Sequence, residues 1–235
     1  NLMKSPVRIS YSYLFQDGEA KVFELLLDKG TLSLIPRPPE PAPVWTLLER
    51  HQCRNCPLES NCHRYCPVAL NFAGIAKHFA DRISHENARV IVVTEERSYL
   101  KDTTIQQGLA SLLGVIMTTG GCPVMEPLKP MVQLHLPFAT LTETVVRVTS
   151  MYLLAQYLRQ AEGKSFEFGL SGLTRIYAEI GTVNRDFVRR LREAATEDAN
   201  MNALVGLDCF TTMAPLMTET MLKEIGPYFS AYLDQ

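Results

Sequence analysis

Four of the six cysteines in this sequence lie within one short segment, residues 51–67. They are spaced C-x2-C-x5-C-x3-C and are followed at once by a proline. Thiols this close together repel one another once they ionise, unless a cation or a covalent bond takes up their charge. A second pair after the first CxxC completes the four-ligand set of a structural metal site. The segment therefore predicts a metal centre with the ligands Cys53, Cys56, Cys62 and Cys66.

The spacing leaves the metal open between zinc and an iron–sulfur cluster. The first and last ligands enclose the same length as a zinc knuckle, which favours zinc. The ending C-x3-C-P resembles the tail of ferredoxin motifs that hold a [4Fe-4S] cluster, although only one such motif is present. Two disulfides rank third because nothing in the chain indicates secretion. His51 and His63 flank a complete set of four cysteines, so we expect them to surround the ligands rather than replace them.

A second candidate site lies in the segment TTGGCPVMEPLKPMVQLHLPFAT, residues 118–140. Two glycines free the backbone before Cys122, and the next residue, a proline, suits the first turn of a new helix. A thiol at a helix N-terminus ionises more readily, so Cys122 and His135 could act as a nucleophile and its base. With Glu126, the same two side chains could hold a catalytic metal that keeps an open position. The alternative is a tight corner in which Cys122 is buried as a small apolar residue.

Length and composition place these sites in a globular protein. The chain has 235 residues, of which 46% are hydrophobic and 20% charged, so it can bury a large core without help from a metal. Its net charge of −2 gives no general attraction to nucleic acid or anionic lipid. No apolar run reaches the roughly 20 residues of a membrane helix, and the first residues carry no signal-peptide core. We expect a cytoplasmic protein that binds neither nucleic acid nor a membrane.

The N-terminal part is predicted to be β-structure. Apolar and polar residues alternate over 7–15, which is typical of a half-buried strand, and an Asp-Gly pair then supplies a turn. Further strands over 22–27 and 31–35 would complete an antiparallel β-meander. The proline-rich segment PRPPEPAP, residues 36–43, predicts an extended linker to the cysteine loop. Trp45, just after the linker, is predicted to cover the metal site.

The chain after the cysteine loop is predicted to be mainly helical. A helix over 68–83 is expected first, then a short buried strand near 89–94, and then a polar loop with the sequence TEERSYLKD. Capping boxes mark two later helix starts, one formed by Thr103 and Gln106 and one by Thr140 and Glu143.

Three helical regions follow these starts. The helix over 141–159 is apolar over a wide arc, which predicts a central position. The helix over 173–192 carries an apolar stripe, and its arginines are predicted to form its solvent side. The region 202–233 holds two prolines, so it should kink or split. Asp208 and Cys209 lie there in the apolar segment GLDCF, where an acid predicts a buried partner.

The segments HQCRNCPL, YCPVA, TTGGCPVM, HLPFAT and MYLLAQY together resemble an uncharacterised bacterial family that is known as a domain of unknown function. The resemblance covers most of the chain, from the first strands to the Met-rich C-terminal region. It implies no activity and assigns no catalytic residue. It does imply a bacterial cytosolic protein.

These patterns predict an α+β protein with a small antiparallel sheet, a four-cysteine metal loop and a larger helical domain. The predicted parts are a β-sheet subdomain at 1–35, a linker at 36–43, the metal loop at 44–67 and the helical domain at 68–235. The preferred hypothesis is a non-enzymatic protein in which structural zinc supports the binding of another protein or a regulatory role.

Two other functions are carried forward. The first is an iron–sulfur redox or sensor protein that uses the same four cysteines. The second is an enzyme with a Cys122 and His135 site. Nucleic-acid binding ranks last, because the loop and its flank hold three arginines but lack an aromatic platform on which bases could stack.

Overall fold

The computed structural model of the chain describes residues 5–194 and 198–234, except for the side chains of residue 201 and residues 209–219 in the last long helix. It confirms the predicted α+β class. Four strands and seven α-helices occur in the described part, and short 3-10 turns join several of them. Their bounds are β1 Val7–Phe15, β2 Ala20–Leu27, α1 Pro67–Ala76, β3 Asn87–Val93, β4 Ser98–Thr104, α2 Ile105–Thr119, α3 Pro130–Gln133, α4 Leu141–Ala161, α5 Ser171–Leu191, α6 Ala199–Ile225 and α7 Ser230–Leu233.

The four strands form one antiparallel sheet with the order β2-β1-β3-β4. In β1 the predicted alternation is confirmed, because Ile9, Tyr11, Tyr13 and Phe15 are all buried. Tyr11 lies opposite Val92 of β3, which gives the sheet one continuous apolar face. That face packs against helices, so the tyrosines and β-branched residues of the sheet form the base of the main core.

Two predictions for the strands were wrong. No third strand forms over 31–35, where Leu34 makes only an isolated bridge to Leu27. The segment predicted as the polar loop TEERSYLKD instead contributes most of β4, which pairs with β3 along its whole length. An edge strand can carry polar residues on its solvent face, and here Arg89 and Asp102 form a cross-strand ion pair at 2.8 Å. The sheet thus joins strands from both sides of the cysteine loop.

Helix α2 packs directly on the sheet. The hydroxyl of Tyr13 donates to the carbonyl of Gly108 at 2.9 Å. A Cβ at Gly108 would lie 2.8 Å from Cγ2 of Val90, so the close approach of helix and strand requires a glycine there. The apolar stripe of α2 belongs to the core, since its residues Leu109, Leu112, Leu113 and Ile116 are fully buried. The helix ends at Thr119, just before Cys122.

The two predicted capping boxes have different outcomes. Thr140 and Glu143 form both reciprocal bonds at the start of α4. Helix α2 instead begins after Thr104, whose side chain makes no cap bond, while Thr103 donates to the side chain of Gln107. The predicted capping box at Thr103 was therefore wrong, because the helix begins one residue later than predicted.

Helix α4 is peripheral rather than central, contrary to its predicted position. Only part of its first half is buried, in a small second cluster with residues of α5 and α6. Leu154, Tyr157 and Leu158 in its second half are each more than half exposed. The wide apolar arc therefore does not mark burial on all sides.

Helix α6 continues past Pro215 and ends before Pro227. The carboxylate of Asp208 in this helix lies 3.6 Å from Nη1 of Arg185, a side chain that is half exposed rather than buried as predicted. The side chain of Cys209 lies outside the described residues. In the described part of the chain, no helix is both long and apolar enough to cross a bilayer.

Candidate metal centre

The cysteine segment forms a closed loop whose two ends are paired. The amide of Cys66 donates to the carbonyl of Thr46 at 2.8 Å, and the amide of Leu48 donates to the carbonyl of Arg64 at 2.9 Å. Within the loop, the amide of Cys56 donates to the carbonyl of Cys53 at 3.0 Å, which closes the CxxC turn. These backbone bonds bring the first two cysteines of the segment and Cys66 back to the start of α1.

Helix α5 holds the CxxC turn from the other side. The carboxylate of Asp186 accepts from the backbone amide of Arg54 at 2.9 Å and from its Nε at 3.1 Å. The side chain of Asn55 donates to the carbonyl of Glu179 at 2.9 Å. Burial acts to raise the pKa of Asp186, but the bonds from Arg54 outweigh it and hold the pKa below its ordinary value. The turn is thus fixed to a buried anion.

A glycine corner, residues 120–122, delivers Cys122 to the same place. Gly121 has a φ of +94°, which favours glycine, and a Cβ there would lie 3.4 Å from Cβ of Pro67. The side chain of Asn71 in α1 donates to the carbonyl of Gly120 at 3.2 Å. The corner therefore packs against the first turns of α1, immediately beside Cys66.

Cys66 and Cys122 begin the same tripeptide, Cys-Pro-Val. Burial raises the pKa of Cys66, whereas the charge of Arg190 and the amides of Ala69 and Val68 oppose this. Burial likewise raises the pKa of Cys122 to about 11, against the amides of Met125 and Val124. The side chain of Cys66 makes no capping hydrogen bond at the start of α1. The amides of Ala69 and Val68 nevertheless face its sulfur and favour the thiolate. Since proline has no N–H, the polar groups facing each sulfur come from the next two residues.

Four thiols border one cavity: those of Cys53, Cys56, Cys66 and Cys122. Its volume is ≈ 20 Å³, which is more than the roughly 10–15 Å³ that one water needs. Among the described residues, no three Cys, His, Asp or Glu side chains lie close enough together to hold a metal ion.

The remaining walls of the cavity are mainly apolar. Met117 of α2 and Val183 and Phe187 of α5 are buried side chains that line it, together with Val124 after the glycine corner. Water is largely excluded by such walls, so charges inside interact strongly. Burial, together with the neighbouring thiols of Cys66, Cys122 and Cys56, raises the pKa of Cys53 to about 12.

Arg190 is the cationic residue in the wall of this cavity. Its side chain is 1% exposed, although the arginines of this helix were predicted to face solvent. It donates to the carbonyl oxygens of Trp45 at 2.7 Å, Leu47 at 2.6 Å and Leu48 at 3.1 Å. The segment that leads into the cysteine loop is thereby tied to α5.

Residues 9–230 match a family model described as a domain of unknown function (DUF6901). The chain belongs to this family. No curated protein and no solved structure matches it. The matched range contains nearly all of the sheet, the cysteine loop, the glycine corner and α5, so the whole cavity lies inside the DUF6901 domain.

Three of the four predicted ligands border the cavity in this DUF6901 domain, and Cys62 does not. Cys62 lies in an exposed outer turn, residues 59–64, in which every residue is exposed. The five cysteines whose side chains are described are all free thiols, so no disulfide joins them. His51 pairs with Glu193 at 2.8 Å, and Trp45 packs on the core without lining the cavity.

The other predicted site residues have separate partners. Cys122 borders the cavity, whereas Glu126 pairs with Lys129 at 2.7 Å on the surface. His135 is bonded to the hydroxyl of Tyr11, and burial lowers its pKa to about 4. The described contacts do not bring these three predicted side chains together.

Sequence reasoning missed that Cys122 belongs with the cysteine loop. A usable signal was present, because the Cys-Pro-Val tripeptide occurs at both Cys66 and Cys122. No comparable signal marks Asp186 or Arg190. Their roles depend on which part of the chain packs on α5, and a single helix pattern does not contain that information.

Proposed function

We propose that this protein is an iron–sulfur redox protein that binds one [4Fe-4S] cluster through Cys53, Cys56, Cys66 and Cys122. The observation that carries the proposal is the arrangement of four free thiols around one cavity. The proposal keeps the iron–sulfur alternative from the sequence and changes its fourth ligand from Cys62 to Cys122.

The arrangement suits a cluster better than a single zinc ion. A structural zinc ion needs four ligands at about 2.0–2.3 Å from one centre. A [4Fe-4S] cluster is also held by four cysteines, but each binds a different corner of the cluster, so the sulfurs surround a volume. The four cysteines here line one cavity, which is what a cluster held at several corners requires.

The surroundings of the thiols also support a cluster. Apolar walls formed by Met117, Val183 and Phe187 limit the access of water to the cavity. Backbone amides face the sulfurs of Cys66 and Cys122 and favour their ionised form. Amides near cluster sulfurs and low solvent exposure are two of the factors that set a cluster's reduction potential.

The ligand set favours electron transfer or redox sensing over catalysis on a substrate. Such a cluster, when bound, accepts and releases one electron at a time. Because the chain supplies four thiols, no ligand position is left for a substrate molecule. What the chain contributes is to hold the four sulfurs, exclude water and shape the local field. The protein partner expected from the sequence is then a one-electron carrier or a regulated protein.

The test is purification under nitrogen, followed by visible absorption and by iron and acid-labile sulfide analysis. We expect a brown protein with about four iron and four sulfide per chain. After reduction with dithionite, an electron paramagnetic resonance signal of a reduced [4Fe-4S] centre is expected. A colourless protein that contains about one zinc per chain and no sulfide would refute the proposal.

A further inference from the structure

The contacts of Arg190 leave part of its buried guanidinium without a partner. Nη1 and Nη2 donate to backbone carbonyls of residues 45–48. Nε has no hydrogen-bond acceptor among the residues that the structure describes, although it is fully buried. Buried charged donors are normally paired, so a free donor in the wall of a cavity indicates an anionic partner inside that cavity.

The three carbonyls do not fully account for this arginine. They are neutral acceptors, so they bind the guanidinium but do not cancel its charge. Asp186 lies on the same helix, and its carboxylate bonds the amide and Nε of Arg54 instead. Arg190 lines the same cavity as Cys66 and the other three cysteines, so its charge lies beside them. The positive field of Arg190 is therefore directed at the ligand sulfurs.

We infer that Arg190 is the charge-compensating residue of the cluster and raises its reduction potential. This inference rests on the proposed function. Four thiolates outweigh the positive charge of the [4Fe-4S] core, so the cluster with its ligands is anionic. Reduction adds one electron from an external donor, [4Fe-4S]2+ + e− giving [4Fe-4S]+, and increases the negative charge. A cation in a water-poor site stabilises the reduced form more than the oxidised form.

The test compares two substitutions at this position in the cluster-loaded full chain. Arg190→Gln removes the charge and keeps a donor, whereas Arg190→Lys keeps the charge and removes the planar fork. Arg192→Gln is the matched control, because it removes the same charge from an exposed position on the same part of the chain. The reduction potential is measured by dye-mediated titration with dithionite, followed by visible absorption and electron paramagnetic resonance.

We expect Arg190→Gln to shift the potential to a more negative value, while Arg190→Lys and Arg192→Gln stay close to the wild-type value. Thermal unfolding is recorded for each variant, since both substitutions at 190 weaken the bonds to Trp45, Leu47 and Leu48. A merely structural role would lower stability in both variants without separating their potentials. Loss of the cluster in Arg190→Gln but not in Arg190→Lys would also support a role of the charge.

Two outcomes overturn the inference. One is an Arg190→Gln protein with the wild-type potential. The other is an equal effect of both substitutions, either an equal shift of the potential or loss of the cluster in both. The hydrogen bonds of the guanidinium, rather than its charge, would then be the cause. A wild-type protein that binds no cluster would instead refute the proposed function, so the two failures are distinguishable.

Discussion

The outer turn and the glycine corner each carry one cysteine, and the two cysteines differ in exposure and packing. Cys62 is close in sequence to the other loop cysteines, yet its turn is exposed and its backbone bonds are local, such as that from its amide to the carbonyl of Glu59 at 3.1 Å. Cys122 is far away in sequence, yet its corner packs on Pro67 and is bonded to Asn71. Proximity along the chain is therefore a poor guide to which sulfurs share a site.

The largest expected effect is on cluster binding. We expect Cys122→Ala to lose the [4Fe-4S] cluster, because one corner of the cluster would have no protein ligand. Cys62→Ala is the matched control and should retain wild-type iron and sulfide. Both are measured by metal and sulfide analysis after anaerobic purification. If Cys62→Ala loses the cluster and Cys122→Ala keeps it, the assignment of the fourth ligand is wrong.

Alkylation compares the two cysteines directly in the wild-type protein. We expect iodoacetamide to modify Cys62 at least about tenfold faster than Cys122 in the native state, because only Cys62 is exposed and accessible to the reagent. Mass spectrometry of peptides after timed quenching gives both rates from one sample. In urea-unfolded protein the two rates should converge. Equal native rates would contradict the difference in burial.

Asp186 should distinguish the anchored end of the loop from its free end. We expect Asp186→Ala to lower the free energy of unfolding by about 1–3 kcal/mol, because the buried amide of Arg54 loses its acceptor. Folding lowers the pKa of Asp186, so this contribution is present above its ordinary value of 3.8 and is lost as the pH falls further.

Urea unfolding at pH 7 and pH 3 measures both effects of this substitution. Glu59→Ala in the exposed outer turn is the control, with an expected change within about 0.5 kcal/mol. A neutral result for Asp186→Ala would show that the bonds from Asp186 do not stabilise the loop.

The smallest expected effect concerns the backbone of the glycine corner. We expect Gly121→Ala to cost about 1–2 kcal/mol, because a φ of +94° is strained for any residue with a Cβ. Gly74→Ala is the control, since Gly74 lies inside α1 with nothing within 4 Å of an added Cβ. It should be neutral or stabilise the protein by up to about 1 kcal/mol. Equal unfolding midpoints in urea for the two variants would remove the case for strain at the corner.

The fold was predictable where the signal is local. The alternation of β1 and the apolar stripe of α5 are set by the period of each element, so the sequence shows them directly. Strand β4 was missed because a polar edge strand owes its conformation to pairing with β3. The position of α4 was missed for a related reason, since an apolar arc does not say how many neighbours cover it.

The grouping of cysteines around the cavity was predictable only up to the third cysteine. Cys53, Cys56 and Cys66 share one loop, in which the spacing of four cysteines, Cys62 included, predicted a metal centre. Cys122 joins them through tertiary packing of the glycine corner against α1, which spacing does not encode. The burial of Arg190 was likewise hidden, because a helix rich in arginine normally directs them to water.

The sheet takes strands from before and after the cysteine loop, which has a consequence for how a cluster would be acquired during synthesis. Three sulfurs emerge early from the ribosome, but the fourth follows only after β3, β4 and α2 have been made. A nascent chain can therefore offer an incomplete site that is open to delivery. The proposed ligand set would then be complete before α5 and α6, which supply the last residues of the main core, have been made, so delivery of a cluster could precede the final step of folding.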